Sequence, residues 1–163
     1  MFILGIDPGK NGAMVAIVGS GVVVDAAPLP YVDDLPYAPG IVQFALENRV
    51  THIALEATLK MAQGGHHTRM TEWGIVRGAC QMVDAEVLIV EARNGWQKWA
   101  GLGSDKRENV AWAIAHDYYP PFVMTKGGRV SRYRDGEARY SDGHADAFIM
   151  AMYYLSILKK DGE

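Results

Sequence analysis

Cysteine is almost absent from this 163-residue chain. The one thiol, Cys80, excludes an internal disulfide and any cysteine-built zinc cluster within a single chain. Long apolar runs are missing too. The hydrophobic start at residues 2–6 is stopped by Asp7, too early for a secretory leader. No stretch reaches the roughly 18 apolar residues of a membrane span, so a reducing cytoplasm with no membrane partner is expected. There is also no excess of positive charge, since the net charge is −3. Nor is the composition extreme: 49% hydrophobic and 21% charged residues exclude a disordered chain. The length suits one domain, expected over residues 1–163, with a core that needs neither metal nor disulfide.

The acidic average hides an asymmetry. Residues 93–140 hold nine Lys or Arg against five acids, and the remainder holds seven against fourteen. A locally basic surface on an acidic protein is compatible with a polyanionic ligand, because binding responds to the local field.

Hydrophobic patterning predicts strands at 2–7, 12–18 and 22–27, joined by Pro8-Gly9 and Gly19-Ser20-Gly21 in the manner of an antiparallel meander. Four prolines at residues 28–40 predict an irregular connection. A helix is expected at 41–49, a strand at 52–56, and a polar loop at 58–70. A helix at about 71–84 follows, with Glu72 near its start, and then a strand at 86–91. Beyond a short turn or helix at 94–102, Ser104 reads as the N-cap of a helix to about 117. A polar connection at 118–141 then leads into a long apolar helix from Ser141 or Asp142 to about 158. This order fits one α/β domain with a mixed sheet, its first three strands antiparallel and its later ones joined by crossover helices.

Four carboxylates stand out. Asp7 and Glu56 end predicted strands, where an open α/β sheet places its ligand crevice. Asp142 and Asp146 are four apart, hence on one face of the last helix, about 6 Å apart along its axis. Asp7 before Pro8-Gly9 also suits a turn, and Asp142 also suits a helix cap. Asp146 lies in an apolar helix, where an acid is costly unless paired or metal-bound. Four such acids at one sheet edge would repel each other without a cation. Oxygen ligands suit Mg²⁺ or Mn²⁺, and two such ions about 3.5–4 Å apart can drive phosphodiester hydrolysis.

The stretch Ile3-Leu4-Gly5-Ile6-Asp7-Pro8-Gly9 with Gly12, then Ala54-Leu55-Glu56, then Asp142-Gly143-His144-Ala145-Asp146-Ala147, resembles the three acidic motifs of RuvC-type Holliday junction resolvases. These belong to the ribonuclease H-like superfamily. The likeness spans nearly the whole chain, in order and length, and its compact form suggests a phage or prophage member. It implies a five-stranded mixed sheet flanked by helices. It also implies a homodimeric, Mg²⁺- or Mn²⁺-dependent endonuclease, with two ions per site, that makes paired symmetric nicks in four-way DNA junctions. The host cell would be bacterial or phage-infected.

Carried over by position, the metal-binding and catalytic acids are Asp7, Glu56, Asp142 and Asp146. Many members space the last two acids by three, but that position is Gly143 here. Asp142 takes the role on helix geometry, with His144 as the competing ligand. Lysines after the fifth strand approach the scissile phosphate in the family. Lys98 is placed there as a catalytic residue and DNA contact, and Lys106 as a further DNA contact. Arg129, Arg132 and Arg134, interleaved with Tyr133 and close to Arg139 and Tyr140, suit phosphate contacts with packing by the rings. Lys60 and Arg69 sit on the stretch that in resolvases reaches the junction centre, and its His66-His67 pair lacks the soft ligands of a zinc site. The helix that follows contributes to the dimer interface in the family.

Other classes stay open at the level of sequence. The opening motif also resembles the phosphate loop of actin-like kinases and chaperone ATPases, which are far longer. A ribonuclease H on RNA–DNA hybrids, a nuclease on other branched DNA, and a non-catalytic DNA-binding protein are the remaining readings.

Overall fold

A computed structural model describes residues 1–57, 66–132 and 134–162, with the helical backbone alone for 66–69. The chain opens with β1 (Phe2–Ile6), β2 (Ala13–Val18) and β3 (Val23–Pro28). A small hairpin of β4 (Tyr31–Val32) and β5 (Leu35–Pro36) and helix α1 (Ala38–Glu47) follow. Then come β6 (His52–Glu56), α2 (His66–Gln81) and β7 (Glu86–Val90). A wide π turn at Ala92–Trp96 runs into the short α3 (Gln97–Ala100), followed by α4 (Lys106–Ala115) and α5 (Asp142–Asp161).

The main sheet has five strands in the order β3-β2-β1-β6-β7. β1, β2 and β3 pair antiparallel, and β6 and β7 join them in parallel. This is the mixed, helix-flanked sheet expected from the sequence. Alternate strand residues face opposite sides. Ile3, Val15, Ile17 and Ala54 face α5, with Phe148, Ile149 and Ala151 against them. Leu4, Ile6, Met14, Ile53 and Leu55 face Ile41, Phe44, Val76 and Cys80 on α1 and α2. No helix among the described residues is long and apolar enough to cross a membrane.

Residues 28–40 are more regular than their prolines suggest. Asp33 and Asp34 both take positive φ, 50° and 61°, the requirement of a tight two-residue hairpin turn. Pro39 falls in the first turn of α1, where the missing amide hydrogen has no partner to lose. α2 begins at His66, ahead of the expected start near 71, so Glu72 lies inside it. Caps shift by one residue elsewhere. Asp105, not Ser104, accepts the Arg107 amide at the start of α4, and Ser141, not Asp142, caps α5 by accepting from His144 N. The 118–141 connection folds back on itself through isolated bridges at Phe122–Tyr140, Met124–Val130 and Arg132–Ala138.

Helix α5 rests on the sheet through two glycines. A Cβ at Gly5 would come within 1.9 Å of the Ala147 carbonyl oxygen, and one at Gly143 within 2.3 Å of the Asn11 carbonyl oxygen. Residues 143 and 147 are one helical turn apart, so these close approaches clamp the start of α5 over the end of β1. Gly5→Ala is therefore expected to lower unfolding free energy by about 3 kcal/mol, at the top of the usual range for overpacking. Gly74→Ala on α2, where an added Cβ meets nothing within 4 Å among the described residues, should instead stabilise by about 0.5–1 kcal/mol. Chemical denaturation midpoints of the two variants check both signs.

Candidate active site

Strand register brings the first two acids together. Ile6 on β1 stands opposite Leu55 on the parallel β6, so Asp7 and Glu56, one step further on, leave the sheet at the same level. Both have the parity of residues facing α5. Asp7 continues Ile3 and Gly5; Glu56 continues His52 and Ala54, and His52 makes an edge-on contact with Tyr154 of α5. The strand ends are fastened locally. Asp7 Oδ1 accepts the Gly9 amide at 3.1 Å, so the turn role and the site role coexist. The Trp73 indole on α2 donates to the Glu56 carbonyl at 2.8 Å, and Ala57 N donates to Val90 O at 2.8 Å.

The third acid comes from α5. Asp146 is 1% exposed and sits within an unbroken buried run from Gly143 to Ala151. Helix α4 meets both of its oxygens. The Lys106 ammonium ion-pairs with Oδ2, and the Asn109 amide donates to Oδ1 at 2.7 Å. Lys106 and Asn109 are three apart, so one face of the first turn of α4 supplies both contacts. Asp142, partly buried one turn before Asp146, adds its charge to the same field.

These groups act on one another's charge. Glu56 is pushed up to about 8, first by burial and then by Asp7 and Asp146, against smaller lowering by Lys106 and by the Trp96 indole. Asp7 is pushed up to about 6 by burial, Asp146 and Asp142, against its bond from Gly9 and the charge of Lys106. Asp146 is raised by burial despite Lys106 and Asn109. Burial works against the Lys106 ammonium, but Asp146, Asp7 and Asp142 outweigh it and raise its pKa. Asp7 and Glu56 keep some solvent contact at the mouth, whereas Asp146 has almost none.

None of the four acids contributes to the shift of His144. Its Nδ1 lies 2.8 Å from Ser141 Oγ, and burial alone lowers it to about 4, so the ring is neutral at pH 7. The lysine at the carboxylates is Lys106; Lys98 is exposed on α3 with no ion pair to any described residue. Arg129, Arg132 and Arg134 are exposed on the 118–141 excursion, where Arg132 donates to the Gly136 carbonyl at 2.8 Å. That excursion is tied to α4 by Arg107 and Asp135 at 2.7 Å. Lys60, Tyr133 and the side chains of His66, His67 and Arg69 lie outside the described residues.

Two residues escape the sequence reading. Asn109 is 0% exposed, and its Oδ1 has no partner among the described residues. Its only sequence signal is a polar residue three after Lys106 in a helix. Trp96 is fully buried, and its indole N–H reaches no acceptor at hydrogen-bonding geometry among the described residues, yet lies close enough to Glu56 to lower its pKa.

The donor chemistry fits a hard divalent cation: carboxylate oxygens, one unused buried amide oxygen, and a charge excess that a lone ammonium does not cancel. With Lys106 against Asp146, no three His, Cys, Asp or Glu side chains among the described residues are gathered closely enough to hold an ion.

With this geometry in view, two solved structures are similar over almost their whole length. One, described as T. thermophilus RuvC in complex with Holliday junction substrate, matches with a TM-score of 0.67 and 14% identity. The match covers 98% of this chain and 96% of that one. The other, the Thermus thermophilus RuvC structure, matches with a TM-score of 0.63 and 18% identity, over 99% and 97% of the two chains. This chain has the RuvC fold. No protein-family model and no curated protein matches the sequence. The RuvC-like sheet edge thus carries Asp7, Glu56, Asp142 and Asp146 in one electrostatic neighbourhood.

A pH dependence follows. Glu56 moves from 4.5 to about 8 on folding, so near neutrality the native state holds a proton that the unfolded chain has released. Stability must fall as pH rises through that range. Above about pH 6.5 the lowered His144, which acts in the opposite direction at lower pH, no longer contributes. Without divalent cations, unfolding free energy is expected to drop by about 1 kcal/mol between about pH 6.5 and 8, after allowance for partial solvent contact. Glu56→Gln should flatten that slope, as read by urea denaturation across the pH series.

Proposed function

We propose that the protein is a metal-dependent, structure-selective DNA endonuclease that resolves four-way junctions by paired symmetric nicks. The observation that carries this reading is the convergence of Asp7, Glu56 and Asp146, with Asp142, at one edge of a RuvC-like sheet. One neighbour's description as a complex with Holliday junction substrate supports branched DNA as the substrate. The single domain, residues 1–163, would hold one site, so paired nicks need two copies, and the working form is a homodimer.

Asp7, Glu56, Asp142 and Asp146 would hold Mg²⁺, or Mn²⁺, as one or two ions. Such an ion supplies Lewis acidity toward the phosphate and a more acidic water. The residues themselves account for the remainder. Water attacks phosphorus and the bond to the 3′ oxygen breaks, leaving a 5′-phosphate and a 3′-hydroxyl. Glu56, whose raised pKa belongs to the cluster without a cation, would give up its proton when an ion binds and become an ionised ligand. Lys106 is half exposed at the rim and sets positive charge where a phosphate arrives. Arg129, Arg132 and Arg134 offer exposed phosphate contacts on the excursion held to α4, and Lys98, Lys60 and Arg69 extend the proposed DNA contacts.

Labelled four-way junction, matched duplex and RNA–DNA hybrid test the reading, each with Mg²⁺ or with EDTA. Wild type should nick the junction symmetrically only with Mg²⁺. Asp7→Asn should bind it equally well and cut it at least about 100-fold more slowly. Cleavage of the hybrid with intact junctions would select a ribonuclease H instead, and unchanged junction cutting by Asp7→Asn would remove these acids from the chemistry.

A further inference from the structure

The buried Asp146 carboxylate already has a cation, supplied by the protein. Lys106 reaches it from α4, and its charge also acts on Asp7, Glu56 and Asp142. Lys106 is the only ion-pair partner of these four acids among the described residues. Its side chain is 52% exposed, so the ammonium can leave for solvent without unfolding α4. Asn109, anchored on the other Asp146 oxygen, is completely buried and stays with the helix core. The carboxylate thus has one fixed partner and one that can withdraw.

We propose that Lys106 is a resident counter-ion that competes with the divalent cation for the carboxylate cluster. The ammonium sits on Asp146 Oδ2, and no three His, Cys, Asp or Glu side chains among the described residues form an ion cage. A divalent cation carries twice the charge, and its arrival makes the ammonium superfluous at Asp146 and repels it toward the rim. The exchange replaces one positive charge at the cluster by two and delivers Lys106 to the side from which a phosphate approaches. Asn109 is the positioning residue that holds Asp146 while its other oxygen changes partner. This inference rests on the metal-centre reading above and adds a competition that reading does not require.

The test uses Mn²⁺ alone, without DNA, so that binding is read apart from activity. Isothermal titration compares wild type, Lys106→Met and Lys159→Met. Lys159 is exposed on the last turn of α5, about 20 Å along the helix from Asp146, and controls for loss of one positive charge. Lys106→Met should bind Mn²⁺ about tenfold more tightly, with Lys159→Met within twofold of wild type. A second measurement needs no variant: acylation of Lys106 in the wild-type protein, followed by mass spectrometry, should speed up several-fold when Mg²⁺ is added. Equal or weaker Mn²⁺ binding by Lys106→Met, or acylation that Mg²⁺ leaves unchanged or slows, would overturn the competition while leaving the metal centre intact. If neither wild type nor Lys106→Met bound Mn²⁺, the metal centre and the competition would fall together.

Discussion

A carboxylate buried inside an apolar helix governs the arrangement. Asp146 is 1% exposed, with Ala145, Ala147, Phe148 and Ile149 beside it in sequence and all equally buried. An isolated buried carboxylate is too costly to remain ionised, so it must be paired, protonated or bound to a metal. Here both oxygens are engaged from one turn of a single neighbouring helix. The place of α4 against α5 is therefore an electrostatic requirement as well as a packing one. Without Lys106 and Asn109, α5 would bury a charge with no hydrogen-bonding partner, and its apolar neighbours could not offset that alone.

Position then follows from what is missing. Gly5 and Gly143 have no Cβ, and their neighbours' carbonyls occupy that space. Helix α5 is drawn onto the carboxyl end of β1, and Asp146 is carried toward Asp7. Glu56 arrives by register, since parallel pairing of β1 and β6 puts equivalent strand ends level. Three acids remote in sequence are thus assembled by two backbone contacts and one ladder of hydrogen bonds. None of these forces depends on the acids themselves. The scaffold buries these acids beside one another, and their pKa values are raised first by that burial and then by the neighbouring carboxylates.

Much of this was legible before any coordinates. The β-branched runs marked the strands, and a carboxylate closing an apolar strand marked Asp7 and Glu56. An acid among alanine, phenylalanine and isoleucine marked Asp146. These signals are local and survive in one dimension. The choice between Lys98 and Lys106 was not legible, because it depends on which of α3 and α4 brings its lysine against Asp146 of α5. Asn109 was hidden for the same reason: an asparagine in a mildly amphipathic helix looks like a solvent-facing residue until the neighbouring helix is placed. The hairpin at Tyr31–Val32 and Leu35–Pro36 was obscured by prolines that read as irregularity, whereas its two aspartates take the left-handed conformation the turn needs. For His144 the helix spacing already argued against a place beside Asp146, and its Nδ1 lies 2.8 Å from the Ser141 hydroxyl.

The charge distribution ties site and surface together. Taken alone, a pocket with four carboxylates on a protein of net charge −3 should repel a polyanion. The basic excursion lessens that repulsion only locally, and its own Asp135 is already committed to Arg107, the residue after Lys106. The same first turn of α4 therefore faces the acids through Lys106 and holds the basic excursion through Arg107. On the proposed reading, phosphate can approach the acids only once cations have neutralised them, while the arginines on the excursion can engage a duplex arm regardless. Binding and cutting would then respond to different charges, with the dividing line running between two consecutive residues of one helix.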